Sequence, residues 1–145
     1  MIRIETTVEI NKSSAEVFAY ISNFENNPQW QAGQISCQFT SEGPLGVGST
    51  YDQVAKFLGR VIVSTFEVLE FEPNQKVKAS STSGSFPITF TRMVEPKDGG
   101  ALVTAVIEGD ASGFFKLAEP LLKIMVQRSV DADYRKLKQI LEGAE

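Results

Sequence analysis

The side chains that could do chemistry are few, and two classes are nearly missing. The 145-residue chain has no histidine and one cysteine, Cys37. Ser-His-Asp and Cys-His nucleophile systems are therefore excluded, and a zinc site lacks its usual ligands. No metal and no cofactor are expected, and acid–base work falls to carboxylates, Lys, Tyr or bound water. Cys37 stands in Ile35-Ser-Cys-Gln-Phe39 without a basic neighbour to favour its thiolate. It reads as a small buried strand residue.

Two charged residues interrupt apolar rows. Arg92 shares a strand face with Phe86, Ile88, Phe90 and Val94. Such a residue either packs its stem flat with the head in water, or anchors an acid or carbonyl group inside a pocket. Asp133 lies between Val130 and Leu137 on one helix face, where a carboxylate needs a partner, and a salt bridge to Arg92 would supply one. Other candidates are weaker. Gly43-x-x-Gly46-x-Gly48-Ser49-Thr50 has no lysine before its hydroxyl pair and leads into a strand, so it reads as a hairpin turn rather than a phosphate cradle. Glu67, Glu70 and Glu72 follow one strand, but none pairs with another carboxylate in the manner of a glycosidase.

The elements that must position these groups follow from periodicity. Residues 2–10 alternate, with Ile2, Ile4, Thr6, Val8 and Ile10 on one face, which reads as a half-buried strand. Alternation also argues against a signal peptide or a membrane span, so a cytoplasmic location without stable membrane insertion is expected. Ser13-Ser-Ala-Glu16 forms a capping box, with Glu16 expected to reach back to the Ser13 amide. The short helix it opens carries Val17, Phe18 and Ile21 and stops before Asn27-Pro28. Strands are expected near 34–42, 49–58, 60–72, 75–82, 85–95 and 101–110, divided by Gly, Pro, Asn and Asp turns. Strands that follow one another without helices must pair antiparallel. With 42% hydrophobic residues and no linker, residues 1–145 read as one α+β domain. The net charge of −4 argues against nucleic acid as a partner.

From Gly113 to about Leu141 the period is helical. Val126, Val130, Leu137 and Leu141 share one face, and Phe115 and Leu122 keep to it. Phe114, Leu117, Leu121, Ile124 and Met125 point the other way, so the early helix is apolar on both sides. A kink at Pro120 with a covering loop would explain this; so would a pocket lid, a membrane-touching patch or a homodimer contact.

The order of these elements resembles the START/Bet v 1-like superfamily, also called SRPBCC or polyketide cyclase/dehydrase-like proteins. The likeness rests on Ser14-Ala-Glu16-Val-Phe18 after the first strand, then Asn27-Pro28-x-Trp30. It continues through Val47-Gly48-Ser-Thr-Tyr51, Glu67-Val-Leu-Glu-Phe71-Glu-Pro73 and Leu137-Lys138-x-x-Leu141-Glu142. In one respect the chain departs from the family, since Gly100 is followed by Ala101 where threonine is frequent. The resemblance implies a helix-grip fold, in which an antiparallel seven-stranded sheet wraps a long C-terminal helix and two short helices follow strand 1. It also implies a cavity between sheet and helix.

The leading expectation is a binding protein for a small hydrophobic molecule such as a lipid, a polyketide or an isoprenoid-like compound. Its wall would be Trp30, Tyr51, Phe57, Phe66, Phe86 and Phe90, closed by Phe115, Leu122, Val126 and Val130 of the helix. Arg92 and Asp133 would be its polar anchors. An enzyme of the cyclase/dehydratase kind using the same cavity is the first alternative. A partner-binding module acting through Leu117, Leu121 and Ile124 is the second.

Overall fold

The computed structural model describes residues 1–84 and 86–143, apart from the side chain of residue 112. Strand β1 (Ile2–Ile10) is followed by helix α1 (Ser14–Ser22), a 3-10 turn (Phe24–Asn26) and the short helix α2 (Asn27–Trp30). Six strands come next: β2 (Gln34–Phe39), β3 (Thr50–Phe57), β4 (Arg60–Glu72), β5 (Lys76–Gly84), β6 (Ile88–Lys97) and β7 (Gly100–Gly109). A one-turn helix α3 (Ser112–Phe115) leads to the long helix α4 (Glu119–Gly143). The seven strands form one antiparallel sheet in the order β1-β7-β6-β5-β4-β3-β2.

This order leaves β1 and β2 at the edges, and each edge is managed by side chains from helices. Along β1, Lys138 Nζ donates to the Glu9 carbonyl at 2.6 Å and Gln127 Nε2 to the Glu5 carbonyl at 3.2 Å. Thr6 Oγ1 donates to Asp131 Oδ1 at 2.8 Å, so α4 is stitched along the whole strand. At the other edge the Phe39 amide donates to Glu25 Oε2 at 3.2 Å. Across the far side, Ala32 N–H donates to Asp133 Oδ1 at 3.1 Å, and Trp30 meets Tyr134 edge-on at 4.9 Å between ring centroids. The helix is thus held from two directions.

Alternation on the strands delivers two apolar clusters to the concave side. The larger gathers Phe24, Trp30, Tyr51, Phe66, Phe90, Val103, Tyr134 and Leu137. The smaller has only Ile2, Ile4 and Leu122 fully buried, with Phe57, Phe115, Val126 and Val130 packed against it.

The chain departs from its sequence reading at several boundaries. Strand β2 ends at Phe39 rather than 42, and β6 starts at Ile88, with residue 85 of the expected strand outside the described residues. The expected single helix from Gly113 is two helices, with the break at Lys116, whose φ is 56°. Pro120 makes no kink inside a helix. It stands in the first turn of α4, where its missing N–H has no intrahelical partner to lose, and the Leu122 N–H already bonds the Ala118 carbonyl at 3.0 Å. Ser13 caps α1 through the Glu16 N–H at 3.2 Å, but the Glu16 carboxylate accepts from the Ser13 hydroxyl at 3.1 Å instead of from its amide. Among the described residues no helix is long and apolar enough to cross a membrane.

Candidate functional site

Between the sheet and α4 lies a cavity in two adjoining compartments. The outer one, about 230 Å³, is walled by Ile4, Phe57, Ile62, Phe86, Leu122 and Val126 among others. The inner one, about 160 Å³, is walled by Phe66 and Phe90 together with Gln31, Gln53, Arg92 and Asp133. Gln34, Ile88, Ile107 and Val130 line both, so the compartments meet along these four side chains. Each alone falls short of the roughly 300–1,000 Å³ usual for small-molecule sites, and only their summed volume enters that range. At the outer end Phe115 of α3 stands edge-on to Phe57 at 5.4 Å, and Phe114 packs on Phe86 at 5.3 Å. Arg60 holds α3 there, its guanidinium 4.3 Å from the Phe114 ring and Nη1 donating to the Phe114 carbonyl at 3.3 Å.

The outer compartment is apolar because β1, β3 and α4 each present alternate aliphatic or aromatic residues. The inner one is mixed, with polar groups among apolar ones, because β6 turns Arg92 inward with Phe90 and Val94. Arg92 is only 3% exposed. Its Nη1 donates to the Ile21 carbonyl at 2.8 Å, satisfying an orphan acceptor in the last turn of α1, and to Asn27 Oδ1 at 3.1 Å. Its guanidinium lies 4.8 Å from the Trp30 ring and 4.9 Å from the Phe90 ring, so aromatic faces replace water around the charge. Nε makes no hydrogen bond, and neither do the buried Gln31 Oε1 and Gln34 Oε1.

Ionisation in this compartment is shaped first by burial. It pushes the Asp133 carboxyl up to about 6, against the pull of the Ala32 N–H and the Arg92 charge. Burial also raises the Tyr134 hydroxyl, which Arg92 opposes by its charge and a hydrogen bond. Behind the wall, burial pushes the Cys37 thiol up to about 12, which leaves it a structural thiol. A wider hollow of about 600 Å³ near Ser14, Glu72, Lys76 and Glu95 is edged by charged side chains.

Comparison with known proteins gives these shapes a lineage. Residues 1–142 match the family model described as polyketide cyclase / dehydrase and lipid transport. The chain belongs to that family. Its fold is the helix-grip START/Bet v 1 fold. A START superfamily protein from Mycobacterium smegmatis superposes with a TM-score of 0.82 over 99% of both chains at 18% identity. The Thermus thermophilus protein TTHA0849 gives 0.82 over 99% of both chains at 15% identity. Major latex-like protein 151 of Panax ginseng gives 0.73 over 96% of both at 15% identity. No functionally curated protein matches the chain by sequence.

In this family member most of the side chains singled out in the sequence meet at one place. Phe57, Phe86, Phe115, Leu122, Val126 and Val130 line the outer compartment, and Phe66, Phe90, Arg92 and Asp133 the inner one. Trp30 and Tyr51 line neither. They stand one layer back, Trp30 under the Arg92 guanidinium and Tyr51 stacked on Phe66 at 5.1 Å. The Arg92–Asp133 salt bridge that the sequence left open is not formed among the described residues, because Arg92 is turned toward Ile21 and Asn27 while Asp133 accepts from Ala32. Nor does the Arg92 head reach water.

Sequence reasoning missed Gln31, Gln34, Gln53 and Tyr134. Gln31 closes α2, Gln34 opens β2 and Gln53 lies on its neighbour β3, places where polar residues ordinarily signal exposure. An available signal was the inward register of Gln53 with Tyr51 and Phe57 on one face of β3.

Proposed function

We propose that the chain binds a small hydrophobic molecule, of lipid, polyketide or isoprenoid-like character, in the cavity between the sheet and α4. The observation that carries this reading is the pair of adjoining compartments, both mainly apolar, with a few polar side chains gathered in the inner one. Apolar walls with few convergent polar groups are the usual make-up of a small-molecule site. The family's description, which includes lipid transport, agrees with it. Native mass spectrometry after gentle purification, with titration of the fluorescent probe 1-anilinonaphthalene-8-sulfonate, tests the reading. Wild type should retain a ligand or bind the probe, and Val126→Trp, which fills the outer compartment, should abolish binding. A chain that retains nothing and binds no probe would sink the proposal.

A second reading, acid–base catalysis on the bound molecule, is favoured by one observation. Asp133 lines the inner compartment with its carboxyl pushed up to about 6, near the range where a side chain both gives and takes protons at working pH. Turnover of a flexible polyketide-like substrate that Asp133→Asn abolishes without loss of binding would establish it; equal turnover in both proteins would remove it.

A further inference from the structure

We infer that the end of the molecule formed by the β3–β4 hairpin and the start of α4 docks on a lipid surface that carries anionic headgroups. Its exposed apolar side chains enter the outer layer of that surface. The docking goes beyond ligand binding and does not depend on what the cavity holds.

Three large apolar side chains stand out to solvent here: Leu58 at the hairpin tip, 41% exposed, and Leu121 and Ile124 on α4. They are neighbours. Leu58 and Leu121 border one surface hollow with Arg60, Phe115 and Met125, and Ile124 follows Leu121 by three residues on the same side of the helix. Exposed cations surround them. Lys56 and Arg60 flank the hairpin tip, Lys116 precedes α4, Lys123 stands beside Ile124, and Arg128 follows Ile124 by four residues. Segments 56–61 and 113–128 hold these five cations and one carboxylate, Glu119, a net charge of +4. The rest of the chain holds nine cations and seventeen carboxylates, a net charge of −8. Glu119 is itself answered by the terminal ammonium of Met1 at 3.1 Å. Pairing differs in the same way. Arg3, Lys76, Lys78, Lys97 and Lys138 are ion-paired, whereas among the described residues none of the five cations at this end has a carboxylate partner. Glu108 and Asp110 line the outer compartment behind α3, and no carboxylate lines the surface hollow.

Apolar side chains within a basic rim suit a lipid surface, where the cations meet anionic headgroups and the side chains enter the boundary with the acyl chains. Only three large side chains are offered, so the attachment is reversible and rests on charge as much as on burial. A second copy of the chain would set one +4 face against another across a two-fold axis, which opposes self-association. An acidic protein would answer the cations, but it would also need a pocket shaped to each of Leu58, Leu121 and Ile124. A fluid acyl layer receives them without one. Phe115 borders both the surface hollow and the outer compartment, so docking sets the cavity beside the lipid.

The test is co-sedimentation of the full chain with vesicles of phosphatidylcholine alone and of phosphatidylcholine with an equal part of phosphatidylglycerol. Binding to the mixed vesicles should be at least about tenfold tighter than to the neutral ones and should weaken as salt is added. Lys123→Glu with Arg128→Glu should lower it at least about tenfold, and Leu121→Ser with Ile124→Ser several-fold. All four side chains are exposed, so both variants should melt like wild type and still bind the fluorescent probe. Absence of binding to the mixed vesicles, or equal binding to both kinds, would overturn the docking, and retained probe binding would leave the cavity reading standing. Mixed-vesicle binding that neither double variant lowers would overturn it as well, by placing the contact elsewhere. Capture by soluble polyglutamate as tight as by vesicles, and equally lowered by the double serine variant, would reassign the face to an acidic protein. A dimer in light scattering that the double serine variant dissolves would reassign it to a second copy.

Discussion

The two halves of α4 rest on different supports. Beneath the second half, Tyr134 and Leu137 are fully buried against a continuous core that runs from Trp30 through Phe66 to Val103. Beneath the first half, Leu122 is the one fully buried side chain among the described residues of the helix, and it faces a cavity rather than a filled core. The outward sides differ as well. Leu121 and Ile124 are about half exposed on the first half, at 49% and 51%, while the second half turns Arg135, Lys136 and Gln139 to solvent. Both halves are built from the same helical period. What separates them is whether side chains from the sheet fill the space they face, and the open space lies where the helix is apolar on two sides.

Substitutions should separate the halves, beginning with the greatest expected loss. Leu137→Ala removes a fully buried side chain from packed surroundings and should destabilise by about 3–4 kcal/mol in urea denaturation, without altering probe binding. Arg92→Met, which leaves the Ile21 carbonyl and Asn27 Oδ1 without their donor, should cost about 3 kcal/mol and also weaken binding, since Arg92 belongs to both core and cavity. Leu122→Ala should cost less, about 2 kcal/mol, because one side of Leu122 already borders empty space. It should also admit bulkier probes. Equal losses for Leu137→Ala and Leu122→Ala would erase the contrast drawn between the halves.

A smaller effect is expected where the halves join, at Asp133. Its folded value of about 6 lies above the ordinary 3.8, so between those values the folded state holds the proton more firmly than the unfolded chain. Its contribution therefore favours folding most at low pH and declines as pH rises toward about 6. Asp133→Asn keeps an acceptor for the Ala32 N–H and should raise stability by about 1 kcal/mol above pH ~7, a figure reduced because the carboxyl is partly exposed to solvent. Near pH ~4 the gain should vanish. Thermal melts of both proteins across this range check the difference, and a gain that grows as pH falls would contradict the sign. Smallest of all, Leu121→Ser should change stability by no more than about 0.5 kcal/mol, since this side chain is half exposed. A larger loss that depends on protein concentration would show that a second copy covers the first half of α4.

Much of this was legible in the order of residues. Period-two alternation from Ile2 to Ile10 and along Ile88-x-Phe90-x-Arg92-x-Val94 determined the strands and set Arg92 in an apolar row, while leaving open whether its head turns to water or into the interior. Ser13 set the start of α1. The stripe through Leu122, Val126, Val130 and Leu137 determined which side of the helix meets the sheet. Local periodicity can do this because it records which face of an element avoids water.

Only the tertiary structure decided what that face meets. The split between α3 and α4 depends on Arg60, from a hairpin more than fifty residues earlier, holding the Phe114 carbonyl and ring. The inward position of Gln31 and Gln34 depends on the junction after α2 being tied to α4 through Ala32 and Asp133. The partner of Arg92 was decided by the approach of α1 and α2, whose Ile21 and Asn27 take the guanidinium in place of Asp133. Each of these is a contact between segments far apart in the chain, and periodicity carries no distance between segments. The sequence by itself determined a sheet, a helix and an arginine set in an apolar row; the tertiary structure decided that the arginine head is buried against Ile21 and Asn27 and that an open space lies between sheet and helix.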